Sequence, residues 1–317
     1  MLFKKKIIPE EFVCLNLPYP GKSERIVRVF VPEHKKGEKL PVIYMTDGQA
    51  VFDKESNPWG CWFTREAVRA ECDASGKKAI IVGIHSPADP MLRTEELTPG
   101  SIGEVHIPLP HMPPEGMPPM PPEGMPTMPE GMPPMPEGMP PMPEGMTMEM
   151  MMKMMEEKLK SFKPEGEIFD EFVVRTVMPA VEDKFPVKKG RENTAVVGSS
   201  SGGLEVFYIG MSHPETFCAI GALSPVFDFY SEENMKKWLA PRLGKKMPFV
   251  YLYCGEGEAH ERQIRDGAKP TFEYIKANAP AAKVKEVIKP EAIHNEIAWE
   301  AIFKDFLHIF LVQGKKL

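Results

Sequence analysis

The side chains best placed to do chemistry lie in Gly198-Ser199-Ser200-Ser201-Gly202-Gly203, between the apolar run NTAVVG and the helical stretch LEVFYIGM. G-x-S-x-G in a strand–turn–helix setting presents its central serine, here Ser200, as a nucleophile on a sharp turn. A side chain at Gly198 or Gly202 would collide with a neighbouring strand or helix. The helix that follows aims free amides at the site, and the amide of Ser201 is the natural first donor to a developing oxyanion. Ser199 and Ser201 are the alternative nucleophiles. A phosphate-binding loop is excluded because its lysine is missing, and the G-x-G-x-x-G dinucleotide pattern is not matched.

A nucleophilic serine needs a base, and in this strand–turn–helix class the chain order is serine, acid, histidine. His294, in EAIHNEIAW, lies between the last expected strand and the last expected helix, where an imidazole can reach back over a sheet. His260 is its rival, at the start of the preceding helix. His213 is expected to end the helix after Ser200, and His308 lies within the apolar FLHIF of the last helix. For the acid, the run FVYLYC ends in Gly255-Glu256-Gly257-Glu258. Spacing does not separate Glu256 from Glu258, and Asp228 is a distant third.

A second oxyanion donor would come from the loop after the run PVIYM, where Gly48 lets the chain turn and leaves the amide of Gln49 free, although D-G there serves equally well as an ordinary turn. Trp59, Trp62 and Trp299 are candidate substrate-lining residues, although such aromatics serve equally well as core. Arg93, near Glu95 and Glu96, is a candidate for binding a charged substrate group, with a structural ion pair as the plainer role.

These residues must be carried by a scaffold of strands and helices. RIVRVFVP (25–32), PVIYMTD (41–47), KAIIVGIH (78–85), NTAVVG (193–198), CAIGALSP (218–225), PFVYLYCG (248–255) and KVKEVI (283–288) predict strands. Helices are expected over 59–76, over 165–185 with a bend near Pro179, after Ser200, over 258–278 and over 295–312. Continuous apolar strands between helices predict a three-layer α/β domain around a mainly parallel sheet, with ligands beyond the strands' carboxyl ends.

The expected single domain, 1–317, is interrupted at about 108–150 by a methionine- and proline-rich insertion. PEGM recurs there at 114–117, 122–125, 129–132, 136–139 and 143–146. So many prolines forbid a coiled coil and predict a solvent-exposed, partly polyproline-like segment. From Met148 to Lys163 the prolines stop and a helix becomes allowed.

The chain has 317 residues, 42% hydrophobic, with a formal net charge of -6. No basic patch points to nucleic acid, and no 18-residue apolar run points to a membrane span. Five scattered cysteines without C-x-x-C spacing argue against a disulfide framework or a cysteine metal site. With no secretory signal pattern, the expected compartment is cytoplasmic.

Taken together, YMTDGQAVFD (44–53), IIVGIHSP (80–87), RTEELTPG (93–100), residues 191–217, ALSPVF (222–227), YLYCGEGE (251–258) and HNEIAW (294–299) resemble the α/β-hydrolase esterase family of esterase D-like, feruloyl, acetyl xylan and siderophore esterases. They occur in the family's order and cover most of the chain except the insertion. The resemblance implies Ser200 as nucleophile, His294 as base, and the amides of Gln49 and Ser201 as oxyanion donors. It favours Glu258, three residues after Gly255, over Glu256. The family often has methionine where Ser201 stands, a mild departure since only the amide is used. The insertion has no counterpart in the family pattern, which leaves substrate class open.

A serine esterase acting without metal or cofactor on a small-molecule or carbohydrate-linked ester is therefore expected. Acetyl or feruloyl esters lead and siderophore esters follow. An acyltransferase would use the same residues. A binding protein that uses the repeats on a hydrolase scaffold is the alternative of another class.

Overall fold

The computed structural model describes residues 6–54, 60–108, 150, 153, 157 and 159–313. The chain divides into one unit of residues 1–106 with 162–317, and a second of residues 107–161. The PEGM repeats and Trp59 lie outside the described residues. So does half of the stretch 148–163, which the sequence allows to turn helical.

In the first unit, β1 (Ile7–Ile8), β2 (Glu11–Leu17), β3 (Arg25–Val31), β4 (His34–Lys35) and β5 (Val42–Met45) lead to helix α1 (Thr64–Ser75). Next come β6 (Ile80–Ile84) and α2 (Pro90–Glu96), then α3 (Gly166–Phe172) and α4 (Met178–Lys184). The chain continues through β7 (Thr194–Ser199), α5 (Ser201–Ser212), β8 (Ala219–Leu223), α6 (Glu232–Leu239) and β9 (Phe249–Gly255). It closes with α7 (Ala259–Asn278), β10 (Val284–Lys289) and α8 (Glu296–Gln313).

Eight strands form one sheet in the order β10-β9-β8-β7-β5-β6-β3-β2, while β1 pairs with β4 in a separate two-stranded sheet. Every neighbour from β10 to β6 is parallel, and β3 and β2 join antiparallel. The sheet is thus mainly parallel and carries helices on both sides. Strand β2 has no counterpart among the expected strands, because its residues, EFVCLNL, are exposed or half-buried throughout. The short helices α2 and α6 are likewise additions to the expected pattern.

The two faces of β7 and β8 show how the layers form. Ile220 and Val196 point to α5, where a Cβ on Gly210 would come within 2.3 Å of Ile220 Cγ1. Gly221 points the other way, to Val197 and to Phe306 of α8. Helix α8 buries Trp299, Ile302, Phe303, Phe306, Leu307 and Phe310, a stripe at spacings of three and four that seals this second face. Each such side chain contributes about 1.5–3 kcal/mol by leaving water.

The expected bend at Pro179 takes a specific form. Between α3 and α4 the residues Val173–Val177 make a π turn, and the Met178 amide donates to the Val173 carbonyl. The wider ladder makes room for the proline, which has no amide to give and whose ring crowds the preceding turn.

Helix α5 also carries a buried anomaly. Glu205 is fully buried, and neither carboxyl oxygen has a hydrogen-bond partner among the described residues. Burial, then the nearby carboxylates of Asp170, Glu167 and Glu96, pushes its pKa well above the usual glutamate value. The folded chain keeps a proton that the unfolded chain loses near pH ~4.3, so this group's contribution to stability declines as pH rises from there towards the folded value. Glu205→Gln should remove that slope. Thermal melts of both proteins between about pH 5 and pH 9 should show the variant gaining on the wild type, by no more than about 1.4 kcal/mol per pH unit. A constant difference would mean Glu205 does not titrate as its burial demands.

Candidate active site

Strand β7 ends at Ser199, and Ser200 turns the chain into α5 with φ 58 and ψ -128. A positive φ is costly for a residue with a Cβ, and it persists here because both sides of the turn are tied down. The Ser200 amide donates to the Leu223 carbonyl at 2.9 Å, and its carbonyl accepts from Leu204 at 3.1 Å. The flanking glycines are sterically required. A Cβ on Gly198 would lie 2.4 Å from the Gly202 carbonyl oxygen, and one on Gly202 would lie 2.3 Å from Thr46 Oγ1. The clash thus comes from helix α5 and from the residue just beyond β5.

His294 sits in the loop between β10 and α8. Its Nδ1 lies 2.5 Å from Oε2 of Glu261, which is fully buried. Glu261 Oε1 accepts from the Gly255 amide at 2.6 Å and from the Ser224 hydroxyl at 2.6 Å. Burial pulls this carboxyl upward, but the hydrogen bond and charge of His294, helped by Gly255 and Ser224, outweigh it and hold the pKa below the ordinary value. An ionised carboxylate only accepts, so Nδ1 carries the hydrogen and Nε2 is left as the basic nitrogen.

This partner differs from the expected one. Glu258 is the residue before α7, and its carboxylate accepts from the His294 backbone amide at 2.9 Å instead of from the imidazole. Glu256 pairs with Arg265. Glu261 lies in the first turn of α7, three residues after Glu258, and the helical geometry returns its side chain towards the strand end. The six residues from Glu256 to Glu261 hold three glutamates, and only the unseen helix start distinguishes them. His260 is a ring neighbour of His294, with centroids 4.8 Å apart. His213 and His308 are engaged elsewhere, with Asp170 and Glu71. Asp228 lies on the turn Phe227–Phe229, where an added Cβ at Gly267 would meet its side chain.

The loop after β5 forms a single 3-10 turn, Gly48–Ala50, preceded by Asp47 at φ 53. Its first turn, like that of α5, contains amides without an intrahelical carbonyl, and Gln49 and Ser201 are among them. The Gln49 side chain is fixed, its Oε1 accepting from the Ser86 amide at 3.1 Å. Gly48 packs on strand β6, where a Cβ would lie 2.4 Å from the Gly83 carbonyl carbon. Arg93 grips Asp47 through Nε and Nη2 at 2.6 and 2.7 Å. It therefore serves this loop as a structural ion pair, made with Asp47 instead of Glu95 or Glu96. Burial would raise Asp47, yet the Arg93 guanidinium keeps it below the usual aspartate value.

Trp62 and Trp299 are 4% and 6% exposed and pack in the core. The Trp299 ring stands edge-on to His294 with centroids 4.9 Å apart, and its Nε1–H donates to Ser224 Oγ at 3.1 Å. Neither tryptophan presents a broad face to solvent.

A mainly parallel eight-stranded sheet with helices on both sides is the architecture of the α/β-hydrolase fold. Residues 148–295 match the family model described as "Putative esterase". The matched stretch contains Ser200, Glu261 and His294. An endo-1,4-beta-xylanase/feruloyl esterase of Xylanibacter ruminicola is 26% identical over 134 residues, covering 42% of this chain and 16% of that protein. The chain thus spans about a sixth of that relative's length. A ferulic acid esterase structure shares 15% identity and a TM-score of 0.57, over 96% of this chain and 98% of its own. A siderophore hydrolase from Aspergillus nidulans, EstB, shares 18% identity and a TM-score of 0.57, over 94% and 95%. At these identities the two structures establish a common fold.

The crowding at Gly202 yields a direct test. Gly202→Ala should lower stability by about 1–3 kcal/mol, because its methyl group must displace Thr46 or the turn itself. Urea denaturation of the variant would measure this, and an unchanged midpoint would show that the turn is not tightly packed.

Proposed function

We propose that this chain is a serine esterase in which Ser200 is the nucleophile, His294 the general base and Glu261 the orienting acid. The observation that carries this reading is the 2.5 Å pair between His294 Nδ1 and the buried, ionised Glu261, on the strand-end side where Ser200 is held at φ 58. The same connection links them through the chain. Ser200 donates to Leu223, and Leu223 precedes Ser224, whose hydroxyl holds Glu261.

In the first step Ser200 Oγ attacks the ester carbonyl carbon while His294 Nε2 takes its proton. The amides of Gln49 and Ser201 stabilise the oxyanion. The carbonyl re-forms as the carbon–oxygen bond to the alcohol breaks, and Nε2 returns its proton to that alcohol. Water then adds to the acyl-enzyme with His294 again as base, releasing the carboxylic acid and restoring Ser200. Glu261 keeps Nε2 basic and stabilises the imidazolium without accepting its proton.

For substrate, a feruloyl or acetyl ester linked to carbohydrate is the leading class, supported by the xylanase/feruloyl esterase match and the likeness to a ferulic acid esterase. A siderophore ester is the second reading, favoured by the likeness to a siderophore hydrolase over nearly the whole chain.

Hydrolysis of p-nitrophenyl acetate and methyl ferulate by the wild type and three variants tests the assignment. Ser200→Ala should lower kcat by about 10⁶-fold. Glu261→Gln should lower it by about 10³–10⁴-fold, because the wrong imidazole tautomer is then favoured. Glu258→Gln should stay within about tenfold, since that side chain only braces a backbone amide. Retention of activity by Ser200→Ala would eliminate the serine mechanism, and a larger loss in Glu258→Gln than in Glu261→Gln would reassign the acid.

A further inference from the structure

Ser224 occupies a position that neither the nucleophile nor the histidine–glutamate pair requires by itself. It follows β8 with φ 45, in the left-handed region that disfavours a residue with a Cβ, and it is fully buried. Its amide donates to the Tyr253 carbonyl at 2.6 Å, fixing it against the adjoining strand. Its hydroxyl has two partners. The single O–H donates to Glu261 Oε1 at 2.6 Å, and the oxygen accepts from Trp299 Nε1–H at 3.1 Å.

Trp299 completes a closed circuit, for its ring stands edge-on to the His294 imidazole at 4.9 Å and 87°. From Ser224 the path runs to Glu261, to His294, to Trp299 and back to Ser224. Asn295, the residue after His294, accepts from the Ala298 amide at 3.0 Å and so joins the histidine loop to the helix bearing Trp299. The preceding residue, Leu223, supplies the carbonyl that anchors the Ser200 amide.

We propose that Ser224 and Trp299 act together as positioning residues. Through them one hydroxyl sets the orientation of the Glu261 carboxylate, and one indole sets the tilt of the His294 ring. Trp299 thus works through other residues and not by lining a substrate pocket. The proposal rests on the serine esterase reading above. Its chemistry is general: a carboxylate whose Oε1 is filled by two fixed donors is held in one plane and turns its Oε2 to the imidazole. The donors are preorganised by burial and by strand ends, so nothing has to reorganise when the imidazolium forms.

Four variants separate positioning from mere stability, assayed with p-nitrophenyl acetate beside Ser200→Ala. Ser224→Ala and Ser224→Gly both remove the hydroxyl, but glycine suits φ 45 and alanine does not. Trp299→Phe keeps a ring against His294 and removes the indole donor. The fourth variant combines Ser224→Gly with Trp299→Phe.

Ser224→Ala and Ser224→Gly should lose kcat equally, by about 10- to 100-fold, with KM within about twofold, even though the glycine variant melts at the higher temperature. Trp299→Phe should show a kcat loss of the same kind. The double variant should lose little more than either single change, because both act along one chain of contacts. An inactive Ser200→Ala beside a Ser224→Gly with wild-type kcat overturns the positioning role alone. Losses that follow melting temperature, or that multiply in the double variant, overturn it as well. Activity surviving in Ser200→Ala overturns the serine reading and the positioning role with it.

Discussion

The carboxylate of Glu261 is the constraint on which the site depends. Removing a charge this fully from water is expensive, and the chain offsets the cost with three hydrogen-bond donors, the Gly255 amide, the Ser224 hydroxyl and His294 Nδ1. Each donor comes from a different strand end or loop. Satisfying one carboxylate therefore forces β8, β9 and the loop after β10 into a shared geometry. A half-satisfied buried network would be worse than an apolar core, so the arrangement holds together as a unit.

On the other side of the serine turn the same logic runs through Asp47. Its left-handed backbone opens the turn that carries Gln49, and Arg93 from α2 holds its side chain with two parallel bonds. Helix α2 is itself pinned by Glu96, which is fully buried and bound by Arg25 through two bonds of 2.7 Å. The loops at the strand ends are thus positioned by charge-assisted pairs, while the sheet beneath them is positioned by apolar packing. Rigid loops on a packed sheet are what a site needs if its geometry is to be set before substrate arrives.

Much of this was legible in the sequence, for physical reasons that differ by element. The buried strands read clearly because both faces are covered and their apolar runs are continuous, as in Ile80–Ile84 and Ala219–Leu223. Edge strand β2 did not, since a strand open on one side carries only a weak alternation. The serine turn was visible because its crowding demands small residues at fixed offsets. Glu261 was hidden because the reach of a side chain depends on where α7 starts, a difference of one helical turn that composition does not mark. Arg93 and Trp299 were visible as residues able to act, but their partners are 46 and 75 positions away, Asp47 and Ser224. Contacts between elements so distant are decided by the sheet order and not by local pattern.

The π turn at Val173–Val177 has a consequence for how this helix could change over generations. A wide turn is the trace of one residue more than an ordinary ladder would hold over the same rise. Deleting one residue there would restore regular bonding, and would also bring the ring of Pro179 against the carbonyl four positions before it. Replacing Pro179 first would leave a widened turn with no ring to accommodate. A lineage that loses one feature is under pressure to lose the other, so the extra residue and the proline should be inherited as a pair.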